Sequence, residues 1–160
     1  MKLEERAERT RETLFDRYDA LNALWLEAEE QLTRLHIPRP VYHEDNQYQD
    51  PANEPGAMTS QYLSLQKAKG KWRICHGLSD DWCGRDYGWT PITECSAQVR
   101  VEAARHVDKL REKVVKSAED FISKVDEAIQ TLAAAVGHPV SVESQNLPTD
   151  RTKLNGHHNQ

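Results

Sequence analysis

The sequence predicts an α+β protein that is predominantly helical: a long antiparallel helical hairpin, coiled-coil-like, with a small β-hairpin or three-stranded sheet inserted into it. Three observations carry this. Apolar residues recur at heptad spacing toward both ends of the chain, one central segment alternates as a hairpin does, and Pro and Gly mark where the helices stop.

The first helix is expected over residues 3–35. Leu14, Tyr18, Leu21, Trp25, Ala28, Leu32 and Leu35 follow a four-three spacing that keeps them on one stripe. Pro38 and Pro40 end it, because a proline ring removes an amide donor and disfavours helix at the residue before it. The second seam runs Val107, Val114, Ala118, Phe121, Val125, Ala128, Leu132 and Ala135, and Gly137 with Pro139 stops it. Its start lies between Pro91 and Ala97: Thr90 is one candidate cap, with Pro91 at the first helical position, and Ser96 is a later one.

Val115, Ile122 and Ile129 form a further apolar line one residue after the second seam. Two helices facing only each other need a narrower stripe, so the extra width implies either the middle segment folding back or a second copy of the chain. A homodimer through the helices is the expectation.

Residues 39–60, rich in Pro, Asn, Asp and Gln and without a period, read as a mobile loop. The tail 138–160 is polar, rich in turn residues, and reads as disordered. The expected organisation is one domain over residues 1–136 with a β insertion at about 61–90.

The insertion is read from its register. With a turn at Lys69-Gly70, residues whose numbers sum to 139 face each other across residues 62–77. Leu63, Leu65, Trp72 and Ile74 then share one face, and Tyr62, Ser64, Gln66 and Arg73 the other. A lone hairpin is marginal in water, so its apolar face needs the helices or a third strand, for which residues 86–89 are the candidate.

Composition narrows the function. Of 160 residues 38% are hydrophobic and 29% charged, and the formal charge of −5 argues against wrapping nucleic acid over the whole surface, since that affinity rests on many Lys and Arg phosphate contacts. There is no apolar run long enough for a membrane span, and the charged opening MKLEERAERTRE is unlike a secretory signal. With three cysteines that cannot all pair within one chain, the expected location is cytoplasmic.

Candidate chemistry is sparse. Cys75 and His76 are adjacent, but neighbours in a strand point to opposite faces and do not form a nucleophile and base. Cys75, Cys83 and Cys95 with His43 or His106 make a poor zinc set, because C-x7-C and C-x11-C lack the short knuckle spacing. Asp80-Asp81 reads as a turn, and His157 with His158 sits in the tail. No phosphate-loop, dinucleotide, zinc-protease or serine-elbow motif occurs, so neither cofactor nor metal nor catalytic residue is expected.

The expected function is therefore non-enzymatic: a protein-interaction or scaffold protein that dimerises through its helices and shows its hairpin end to a protein partner. The candidate partner-binding residues are Tyr62, Lys67, Lys69, Lys71, Trp72 and Arg73. Nucleic-acid binding through the same basic tip is the alternative, with the four cations on phosphates and Tyr62 or Trp72 stacking on bases. Lysines guarding a sheet edge are the plainer reading of the tip.

Overall fold

The computed structural model describes residues 2–52, 55–80 and 86–137, with the backbone alone at 86 and 87. Cys83, Asp81 and the tail 138–160, on which several expectations rest, lie outside them. By its internal contacts the chain divides into two compact units, Met1–Val125 and Asp126–Gln160.

Helix Leu3–Thr33 (α1) opens the first unit, followed by four strands, Val41–Gln49 (β1), Met58–Ala68 (β2), Lys71–Asp80 (β3) and Asp86–Pro91 (β4). A 3-10 turn, Ile92–Glu94, leads to helix Ala97–Ala103 (α2), whose N-cap is the later candidate, Ser96, with its hydroxyl accepting from the Val99 amide. A second 3-10 turn, Ala104–His106, separates α2 from helix Val107–Ala135 (α3). Pro91 closes a strand and does not open a helix.

The sheet is antiparallel throughout, in the order β1-β2-β3-β4. Its central hairpin has the register read from the sequence, Ala68 opposite Lys71 and Leu65 opposite Ile74. Lys69 and Gly70 both take positive φ, +51° and +80°, as a two-residue turn matched to strand twist requires. Strand β4 is the expected third strand.

Two expectations are corrected. Residues 39–60 are not a loop: β1 occupies much of that stretch and pairs along β2, so the strands span residues 41–91. The long antiparallel helical hairpin does not form, and the chain is not a coiled coil but an α+β fold with a sheet core. Trp25 and Leu32 of α1, Leu63, Leu65 and Ile74 of the sheet, and Leu110 and Val114 of α3 form one buried cluster. The sheet thus takes the surface that the second helix was expected to cover.

The helices also run the other way from the expectation. Arg100 meets Asn22 and lies over the Tyr18 ring; Ala104 and Val107 share an apolar hollow of about 210 Å³ with Leu21, Leu24, Trp25 and Ala28; Arg111 donates to Gln31 at 3.2 Å. Residue numbers rise together along both partners, so the α2–α3 segment lies beside α1 in the same direction. Each seam is buried only where they overlap, and Leu14 at 47% and Phe121 at 39% remain exposed.

The second unit, as far as described, is the end of α3, with Ala133 buried and Ile129, Leu132 and Val136 exposed.

Candidate functional site

The hairpin tip is partly neutralised. Lys69 Nζ is 3.4 Å from Glu94 Oε2, and Lys67 Nζ sits 5.9 Å over the Trp72 ring. Lys71 is exposed. Arg73 is drawn inward: its Nε donates to Glu29 Oε1 at 2.7 Å and its Nη2 to Thr93 at 3.0 Å. Glu29 Oε2 also accepts from the Ile74 amide at 2.8 Å. Strand β4 ends opposite Cys75, so this carboxylate satisfies the edge of β3 just beyond it.

Trp72 and Tyr62 lie on opposite faces. Trp72 is half-buried against the core, on the face of Leu63, Leu65 and Ile74. Tyr62 is half-buried on the other face, where its hydroxyl donates to Glu44 at 3.1 Å. There Trp89 sits between Tyr42, at 5.4 Å between ring centroids, and Tyr62, at 6.3 Å. Gly77 makes room for it, since a Cβ there would come within 2.4 Å of the indole. The candidate residues therefore do not converge on one surface.

Another group does converge, on the inner face beside the helices. Val41, His43 and Asp45 of β1 turn inward while Tyr42 and Glu44 face out, with a register shift between Glu44 and Asn46. His43 and His76 flank Leu63 in one cross-strand row. His43 Nε2 is 3.4 Å from His106 Nδ1, and His76 Nε2 is 3.8 Å from Asp45 Oδ2.

Burial sets the electrostatics. It lowers the pKa of His43, assisted by the positive charge of Lys113, and that of His76, which Asp45 and Glu102 partly restore. It raises the Asp45 carboxyl, against the nearby His76 and His106. Among the described residues, no group of three or more His, Cys, Asp or Glu side chains is disposed to hold a metal ion.

Sequence reasoning missed this cluster because β1 was read as a loop. The signal was the alternation of Val41, His43 and Asp45 with Tyr42 and Glu44, hidden because two of its three inward residues are polar.

Cys75 is fully buried, its thiol pushed up to about 11 by burial and by the neighbouring Glu29 charge, and it lies on the face opposite His76. That pair makes no nucleophile and base.

Among the described residues, apolar side chains are also uncovered on α3. Val115 is 39% exposed and Ile122 60%, seven residues apart, and Ile129 in the second unit is 44% exposed. On α1, residues 3–17 are exposed throughout, Phe15 at 61%. No described helix is long and apolar enough to cross a membrane. Comparison with protein-family models, with curated proteins and with solved structures finds no match to this chain.

Proposed function

We propose that this chain is a non-enzymatic assembly protein that pairs with a second copy of itself through α3 and presents the hairpin end of its sheet to a protein partner. The observation that carries the reading is the exposed pair Val115 and Ile122 in the first unit. Residues seven apart return to nearly the same side of a helix, so the pair is a ready seam for one more helix. Exposed apolar stripes of this length on a small chain are characteristic of interaction surfaces. A second copy is the fitting occupant, because α1 carries its own uncovered apolar residues, Leu14 and Phe15, in the same protomer. Free thiols at Cys75 and Cys95 suit a reducing compartment such as the cytoplasm.

The nucleic-acid alternative draws less support. Lys69 and Arg73 already face Glu94 and Glu29, and with Tyr62 and Trp72 on opposite faces of the sheet only one of the two rings is on a given side of the tip.

Changing Ile122 and Ile129 to Glu tests the assembly. Both side chains are largely exposed within one chain, so the variant is expected to keep its circular dichroism and scatter light as a monomer where the parent is a dimer. A folded dimer of unchanged stability would remove α3 from the interface.

A further inference from the structure

The 3-10 turn Ala104–His106 interrupts the helical run and ends on a histidine that meets the sheet. His106 and His43 approach with ring centroids 5.5 Å apart and planes tilted by 37°, and Nε2 of one is 3.4 Å from Nδ1 of the other. A contact of this kind is one N–H donating to one bare nitrogen.

Among the described residues, charged groups from β1, β3, α2 and α3 reach this pair and its neighbours. From α3, Lys109 and Lys113 act on His43, and the Lys113 ammonium also donates to the Tyr42 carbonyl at 3.3 Å. From β1 comes Asp45, whose Oδ1 is buried without a hydrogen-bond partner. From β3 comes His76, 3.8 Å from that carboxylate, and from α2 Glu102 acts on His76.

We propose that the His43–His106 contact is an acid-sensitive latch: it holds the junction of α2 and α3 against β1 at neutral pH and opens when the bare nitrogen of the contact takes up a proton. That proton converts the bare nitrogen into an N–H, so two donors face each other with no acceptor between them, and the new positive charge lies beside two ammonium groups. In the other half of the cluster a proton on His76 faces the Asp45 carboxylate, an opposite charge and not a like one, which offsets part of the burial that holds the His76 pKa down. Acid therefore loosens the α3 side of the cluster while β1 and β3 stay together. Fully buried Leu110 and Val114 keep the following turns of α3 seated, which confines the opening to about residues 104–109. The latch is independent of the assembly reading, because both histidines belong to one chain.

Amide hydrogen exchange of the full chain at pH 7.5 and 5.5, corrected for the intrinsic pH dependence of exchange, tests it. Peptides spanning residues 100–109 are expected to exchange about tenfold faster at the lower pH, as one added proton per opening allows. His43→Gln should remove that acceleration, because the amide does not titrate, and His76→Gln should retain it. Equal corrected rates at the two pH values, or an unchanged acceleration in His43→Gln, would overturn the latch. Should His43→Gln fail to fold, the parent chain's His43 imidazole followed by NMR decides: a His43 titration that coincides with the onset of faster exchange at residues 100–109 supports the latch, and one that does not refutes it.

Discussion

Glu29 shows how much one side chain decides. Its carboxylate accepts from Arg73 and from the Ile74 amide, and so joins α1 to the edge of β3 where β4 has already turned away. Removing one partner of such an enclosed pair leaves a charge and a backbone amide unsatisfied. Glu29→Ala is expected to cost about 3 kcal/mol, read as a lower urea midpoint at unchanged slope; a loss under about 0.5 kcal/mol would place the pair among inconsequential surface bridges. The heptad stripe passes beside Glu29 without requiring it, and nothing in the sequence linked it to residue 73. The titrating cluster adds a pH dependence of definite sign. His43 and His76 have lowered pKa values in the folded chain, so the stability they contribute is complete above their ordinary 6.5 and is lost as pH falls through their folded values. Asp45 works the other way: its contribution is complete below 3.8 and is lost as pH rises through its raised value.

Among the elements, the hairpin was legible to the residue and β1 was not. Leu63, Leu65 and Ile74 alternate with Ser64, Gln66 and Arg73, and only one register sorts them. In β1 the inner face carries His43 and Asp45, whose burial is made tolerable by groups from β3 and the Ala104–His106 turn, and a one-dimensional pattern cannot register those partners. The hairpin's parts also differ in how much they carry. Gly77→Ala places a methyl group within 2.4 Å of the Trp89 ring and is expected to cost about 2 kcal/mol by overpacking. Changing Lys67, Lys69 and Lys71 together to Ser removes one exposed ion pair and the distant Lys67 contact with the Trp72 ring, and is expected to alter stability by less than about 1 kcal/mol. Chemical denaturation compares the two, and the reverse ranking would mean that the tip, not the aromatic face, supports the sheet.

At the scale of the whole molecule, the direction of the helices in the first unit is the decisive arrangement. Contacts from Asn22 to Arg100 and from Gln31 to Arg111 require α1 and the α2–α3 segment to run the same way. Cysteines introduced in those two pairs, Asn22→Cys with Arg100→Cys and Gln31→Cys with Arg111→Cys, should each be joined by a short bis-maleimide, as seen by mass spectrometry of the digested chain. In an antiparallel hairpin at most one of the two pairs would be near enough, so a cross-link in only one would reject the parallel arrangement. The sequence by itself determined the two helical stretches and their stops, though not the 3-10 break at Ala104–His106, and also the turn at Lys69-Gly70 and the sorting of the hairpin's faces, because each of these depends on residues close along the chain. Only the tertiary structure decided that a four-stranded sheet shares the core with both helices, that the helices lie parallel, and that four titrating groups from β1, β3 and the Ala104–His106 turn meet. A heptad seam states that a stripe will be covered; it does not state by what, because burial is favourable against a sheet as much as against a helix.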